Sequence, residues 1–437
     1  MSLNSSKYLT KTNYLNLIFS TIPISFIAGN TIINLNIVLL IISTFFLYGN
    51  IFAKIKYHLL DKIMILFFLM VLYTGVFNNI YIHFTAVEGF PKSFNMIYKS
   101  LSYLRFFALY LVIRFLIEKE ILNFKIFFIS CSVFSILVSF DLFYQLAFGK
   151  DIFGYQGIGR KLSGPFGDEL IAGSYLQRFS LFSFFLLPIF FKIKTEKIFK
   201  YVIPVLFIVF FSAIIISGNR MPLVLFLFAI FALVVFQKET RKYFFSFLTI
   251  FLIVFILMFK FNSTVKYNFL NFYAQIKGIV QTTIMKDSQN HIGDYSKEFD
   301  TFYGTWLMNK YIGGGIKSFR YYCHARPDVN KNSKFTGQVC NMHPHNYYLE
   351  ILAETGIIGF LLITLIFFII FYISFIAKYF TSSKLKHNHI ITPFIFLFLV
   401  EVFPIKSTGS FFTTGNATYI FLIIAVITAL TRKENLN

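Results

Sequence analysis

Residues 340–360 read CNMHPHNYYLEILAETGIIGF, and the apolar run behind them extends to about Tyr379. Pro344 discourages helix at His343, and Asn346 suits an N-cap, so the stretch predicts a helix that starts at Asn346 and continues as a greasy span. His345 then sits at or just before the positive end of that helix. Glu350 and Glu354, four apart, share a face of its first turns. Titratable groups where a membrane helix meets water are costly unless used, which makes these residues functional candidates.

The rest of the chain has the composition of a membrane protein. Of its 437 residues 57% are hydrophobic, 63 are Phe, and the mean hydropathy is +0.69. A soluble protein of this size has no way to hide so much apolar surface. Twelve spans are expected, at about 13–29, 31–52, 62–84, 95–117, 122–148, 169–192, 199–217, 220–237, 244–262, 346–378, 390–404 and 415–431. No internal repeat or coiled-coil heptad is visible, and no cleavable signal peptide is expected, because the first apolar run lacks a small-residue cleavage site.

The net charge of +21 would suggest nucleic acid in a soluble chain. Here the cations alternate by loop. One set of short loops carries Lys54, Lys56 and Lys62, then Lys119 and Lys125, then Lys192 to Lys200, Lys238 to Lys242, Lys378 to Lys386, and Arg432 with Lys433. The intervening loops are poor in cations. The positive-inside rule puts the rich set and both termini in the cytoplasm. Residues 1–262 are thus expected to hold helices one to nine, 263–345 a large periplasmic loop, and 346–437 helices ten to twelve. The loop, with Trp306, many Tyr and Gly313–Gly315, is too long for a simple connector. Short helices are expected in it at about 271–286 and 298–309.

Cations on the outer side, where positive charge is disfavoured, ask for an anionic partner. They are Arg160 and Lys161 before span six, Arg220 in SGNRMP, and Lys297, Lys317, Arg320 and Arg326 in the loop, with His343 and His345 at its end. Each has a plainer reading. Arg220 is also what a headgroup-snorkelling anchor looks like. Yet an Arg at the positive start of a helix, ahead of Pro222, is poorly placed without an anion, which favours function. Arg160 lies in a Gly-rich loop that suits phosphate or is a solvated turn. Arg114, near a cytoplasmic end, is expected to snorkel. Arg105 and Arg178 lie deeper and are expected to pair with Asp141 or Glu401, in a combination left open. His343 and His345 have no third ligand at metal-binding spacing, and no metal is expected. Cys131 reads as an apolar filler. Cys323 and Cys340 share the outer loop, where an oxidising compartment favours a disulfide.

Four stretches in order resemble the O-antigen ligase and polymerase superfamily: RKLSGPFGDELIAGSYL from Arg160, ISGNR ending at Arg220, NKYIGGGIKSFRYYC from Asn309, and HPHNYYLEILAETGIIG from His343. The resemblance covers roughly Arg160 to Gly359. It implies an all-α polytopic membrane protein of about twelve transmembrane helices, GT-C-like, using a polyprenyl-diphosphate-linked glycan without metal or other cofactor. It also implies that Arg220 and His345 match essential residues and Arg160 a further basic position. The family often has an Arg early in the loop. Lys297 is the nearest candidate here, which leaves phosphate binding at that position in doubt, with Arg320 as a substitute. Resemblance and charge together assign Arg220, Arg160 and Arg320 to the diphosphate and His345 to the acceptor hydroxyl as base. Lys297 and His343 join the substrate-binding set, and Glu350 either orients the imidazole or contacts sugar. Transfer by a single displacement inverts the anomeric centre.

The expected activity is therefore transfer of an O-antigen-type glycan to an acceptor such as lipid A–core, at the periplasmic face of a bacterial inner membrane. The alternative within the same chemistry is a polymerase that extends lipid-linked repeats. A lipid-linked glycan transporter or flippase is the alternative of another class. It accounts for the intramembrane charges but not for a large outer loop ending in HPH, and the repeated halves common in transporters are not seen.

Overall fold

A computed structural model describes residues 10–85, 94–158, 161–191, 201–242, 244–263, 265–267, 269–271, 273–274, 294–326, 340, 346–381, 389–406 and 409–436. Among them every named element is helical, with two isolated β-bridges in a loop. The chain opens with α1 (Lys11–Ser20) and α2 (Ile22–Ala28), so the apolar run expected at 13–29 is split at Thr21, just before Pro23. Next come α3 (Asn30–Phe52), α4 (Leu59–Thr85), α5 (Asn95–Glu118) and α6 (Phe124–Phe148). A second split run follows as α7 (Ala172–Phe179) and α8 (Leu181–Phe190). Then come α9 (Ile203–Ile216), α10 (Arg220–Phe236) and α11 (Phe244–Phe261), with a four-residue helix, Lys238–Arg241, between the last two. The loop contributes α12 (Asp294–Met308) and α13 (Phe319–His324). The chain closes with α14 (Tyr347–Phe371), α15 (Ile391–Glu401) and α16 (Thr414–Leu436).

This is a multi-pass membrane protein. Among the described residues six helices are long and apolar enough to cross a bilayer: α3, α4, α5, α6, the run Tyr347–Tyr379, and α16. A seventh arises if Phe245–Phe261 and Val265–Asn271, bent by 106° to one another, form one span. Helices α9, α10 and α15 are apolar but shorter. The twelve expected stretches thus include six full-length helices, and several of the others are short or broken. Of the helices expected in the loop, the second is seen as Asp294–Met308, and most of the first lies outside the described residues.

Burial sorts the helices by their solvent. In α16, 83% of the most apolar window is buried, against 33% in α3. Helix α16 is therefore central, packed on α5 and α15. Helix α3 exposes Leu35, Val38, Leu39, Ile42, Phe45 and Phe46, a stripe at helical spacing that a lipid tail satisfies and water does not. Phe side chains fill the centre by edge contacts, as where Phe394 meets Phe124 and Phe182 at centroid distances of 5.7 and 5.0 Å.

The start of α4 and the ends of α5 and α16 meet at one end of the bundle. There Arg114 pairs with Asp61 and with Glu118 at 3.3 Å, and Arg432 reaches the same two carboxylates at 3.0 and 3.2 Å. Arg114 is fully buried. The expected snorkelling is therefore corrected: Asp61 on α4 and Glu118 one turn away give the guanidinium partners inside the protein, so it has no reason to reach for water.

The feature that shapes the other end is a break in α14. Gly356, at φ +65°, interrupts the helix and frees main-chain groups that lipid cannot satisfy. The 310–315 loop takes them up. Gly314 and Gly315 N–H donate to the Ala353 and Glu354 carbonyls at 3.1 and 2.8 Å, and Ile357 and Ile358 N–H donate to the Lys310 and Tyr311 carbonyls at 2.9 and 3.2 Å. Thr74 and Asn78 of α4 fasten the loop from behind, donating to the Ile312 and Gly313 carbonyls at 2.9 and 3.0 Å. Gly313 has φ +72°, and a Cβ there would stand 2.4 Å from main-chain atoms of Glu354, Thr355 and Gly356. Gly313→Ala is expected to add about 1–2 kcal/mol of left-handed strain and to push loop and helix apart. Gly49→Ala in α3, where no atom lies within 4 Å of the new Cβ, is expected to be neutral or mildly stabilising. Thermal unfolding in detergent compares the two.

Candidate functional site

The loop docked on the α14 break places Glu350 and Glu354, the two carboxylates spaced for one helical face, deep in the protein. Asn346 caps the helix ahead of them, accepting from the N–H groups of Tyr348 and Leu349 at 2.9 and 3.2 Å. Glu350 accepts from the Ser410 hydroxyl and the Phe411 N–H, and Lys317 Nζ stands 3.6 Å from its Oε1. Lys317 also donates to Ser410 Oγ at 2.6 Å. Glu354 is less well provided for: its Oε2 is buried without a hydrogen-bond partner among the described residues. Lys317 has φ +61°, a conformation costly for a non-glycine residue and most often kept at functional sites.

A second buried cluster adjoins the first. Arg178 of α7 grips Glu401 with two nitrogens, at 2.7 and 3.3 Å, and donates to Asn416 Oδ1 at 2.6 Å. Lys406 and the Tyr347 hydroxyl also donate to Glu401 Oε1, at 2.7 and 2.6 Å. Burial draws the Lys406 ammonium below its ordinary range, against the pull of Glu401. Asn416 Nδ2 donates to the Ser410 carbonyl at 2.6 Å. One polar network therefore runs from Lys317 and Glu350 through Ser410 and Asn416 to Arg178, Glu401 and Lys406.

The open pairing is now decided. Arg178 pairs with Glu401. Arg105 pairs with neither candidate: it donates to the Ser102 carbonyl and to Thr414 Oγ1 and covers the Phe106 ring. Asp141 instead accepts from the Ile152 N–H at 2.8 Å and orders the loop after α6.

Arg220 begins α10, as the sequence suggests, and lines a cavity of about 40 Å³ with Asn219, Val265 and Phe269. The turn before it is seated on α7, where a Cβ on Gly173 would be 2.6 Å from Ser217 Oγ. The turn after α15 joins this region to α14. Phe403 packs at a tilt against Phe228 of α10 at 5.2 Å, while Asn346 Nδ2 and the Tyr348 hydroxyl donate to the Pro404 and Val402 carbonyls. The helices that carry Arg220 and Glu350 thus meet at one turn.

Arg160, His343 and His345 lie outside the described residues, and so does the side chain of Lys297 on α12. The chain on both sides of Arg160 is held by Gln145, which donates to the Tyr155 carbonyl at 3.1 Å and accepts from the Gly164 N–H at 2.9 Å. Arg320 is exposed on α13. Arg326 donates to the Thr301 carbonyl at 2.8 Å, tying the loop to α12. Cys323 and Cys340 form a disulfide with Cα atoms 5.5 Å apart. Residues missed in the sequence are Ser410, Asn416 and Lys406. Only Lys406 carried a signal, as a lone cation in one of the cation-poor loops.

Residues 205–364, from α9 into α14, match the family model described as O-antigen ligase. No curated protein matches the chain.

Proposed function

Because residues 205–364 match the O-antigen ligase family model, we propose that the chain moves an O-antigen-type glycan from a polyprenyl diphosphate to an acceptor such as lipid A–core. The observation that carries this reading is the broken start of α14. Within the matched segment, it holds two buried carboxylates against the cation-bearing glycine loop, directly after the His345 position. Bond cleavage concentrates negative charge on the diphosphate leaving group. Arg side chains bind phosphate in a forked geometry, and cations held in advance stabilise the transition state more than the ground state. Arg220, Arg160 and Arg320 take that part, with Lys297 and His343 near the glycan. His345 removes the acceptor proton, since imidazole titrates near neutral pH. Glu350, saturated by Ser410, Phe411 and Lys317, fixes the helix start and orients the site. No metal or cofactor enters this scheme.

The reading requires residues 263–345 to be periplasmic and both termini cytoplasmic, in the inner membrane. A reporter fused near Asn290 is expected to behave as periplasmic, and cytoplasmic behaviour removes the whole assignment. Loss of the gene, followed by surface glycolipid on a gel, decides the acceptor. Bare core with glycan stranded on its carrier indicates a ligase, and single-repeat products indicate a polymerase. Bare core with the lipid-linked glycan held on the cytoplasmic side would instead indicate a transporter.

A further inference from the structure

The end of the bundle opposite the Asp61, Arg114 and Arg432 group holds cations that the scheme above only touches. The glycine loop is seated against α4 and α5: Gly315 lies beside Gly75, the Thr74 carbonyl and the sulfur of Met96. Tyr322 of α13 packs with Met96 and Ile82 and donates to Asn78 Oδ1 at 2.7 Å, with its own hydroxyl pushed up to about 12 by burial. These contacts bring three cations from three elements together. Lys99 is one turn beyond Met96 on α5, Lys317 follows the glycine loop, and Arg320 is two residues before Tyr322. Lys99 lies within electrostatic reach of Lys317, Arg320 and Glu354.

The plain account of such a group is neutralisation of the two buried glutamates. It covers Lys317, which touches Glu350. It covers Lys99 only in part, through electrostatic reach of Glu354 without a contact, and it does not cover Arg320. Among the described residues neither Lys99 nor Arg320 makes an ion pair or a hydrogen bond, and Arg320 is exposed. Half-buried Lys99 and exposed Arg320 therefore keep donors that no carboxylate contacts among the described residues. Lys317 holds its left-handed backbone in this position where glycine would sit without strain, which argues that its side chain is needed.

We propose that Lys99, Lys317 and Arg320 form a binding subsite for a phosphate-class anion, seated over Glu350 and Glu354. It rests on the glycan-transfer reading only for the source of that phosphate, which is either the carrier diphosphate or a phosphate on the acceptor sugars. The buried carboxylates offset part of the mutual repulsion of the three cations, and the ligand supplies the direct contact that Lys99 and Arg320 lack.

The test uses the full chain in lipid nanodiscs, with Lys99→Gln, Arg320→Gln and the Lys99→Gln/Lys317→Gln/Arg320→Gln variant. Because Lys317 is partly structural, the two single variants keep the test sound if the triple variant misfolds. Binding of undecaprenyl diphosphate without glycan is measured directly, and so is binding of lipid A–core before and after phosphatase treatment. Each single change is expected to weaken one ligand about tenfold, the loss typical of one charge-assisted hydrogen bond. Weaker carrier binding identifies the diphosphate as the ligand. Weaker binding of phosphorylated core, with the treated core unaffected, identifies the acceptor. Binding of both ligands within about twofold of the unaltered protein overturns the subsite, and so does an unaltered protein that binds neither. Because these arms read binding and not turnover, a chain that binds phosphate here but transfers no glycan would fail the proposed activity and keep the subsite.

Discussion

His345→Ala is expected to abolish glycan transfer while retention of the lipid-linked donor stays near that of the unaltered protein. A general base contributes about 10²–10⁴-fold, and its work falls on the acceptor hydroxyl, not on the diphosphate. Arg220 has the opposite signature. Arg220→Ala is expected to lose donor and transfer together, and Arg220→Lys to lose most transfer despite its charge, because an ammonium lacks the guanidinium fork. Purified protein incubated with labelled lipid-linked donor separates the two. Donor loss in His345→Ala as deep as in Arg220→Ala would make the histidine a diphosphate ligand or a structural residue. The base would then be sought at His343, since the Glu350 carboxylate is buried and already engaged by Ser410, Phe411 and Lys317. Near-normal transfer by His345→Ala would remove the catalytic reading of the 340–360 stretch.

Glu401→Leu is expected to cost about 3–5 kcal/mol, the range for a buried charge left without its partner. Two cations depend on this one carboxylate: Arg178 through 2.7 and 3.3 Å contacts, and Lys406 at 2.7 Å. All three are at least nine-tenths buried, so water offers neither cation a substitute. Replacing the whole group, as Arg178→Met/Glu401→Leu/Lys406→Leu, is expected to recover most of the loss, since apolar side chains of similar volume fill such sites at little cost. Some loss remains, because Tyr347 and Asn416 each give up a hydrogen bond to the group. Thermal unfolding in detergent gives the order: unaltered protein, then triple variant, then Glu401→Leu. A triple variant no more stable than Glu401→Leu would show that the group is held for something other than charge balance.

Much of this protein follows from local chemistry. Hydropathy alone marks α3, α4, α5, α6, α14 and α16, because a helix that crosses lipid must be apolar along its length. Asn346 is legible as a cap and Glu350 and Glu354 as one face, since capping and the i, i+4 relation act within a single turn. The start of α10 at Arg220 is read the same way, from Pro222.

What the tertiary structure decided lies between residues far apart in the chain. Arg178 and Glu401 are 223 positions apart, and no local pattern distinguishes Glu401 from Asp141 as the partner. The burial of Arg114 is not legible locally because, although Glu118 lies one turn away, its second partner Asp61 arrives from another helix. The break at Gly356 is hidden inside a continuous apolar run, where a lone glycine ordinarily costs a helix only about 1 kcal/mol. It becomes a site because the 310–315 loop brings main-chain donors and acceptors to the groups it frees, and with them Lys317. A sequence shows which residues carry charge, but only the packed chain determines which charges are left facing one another without water.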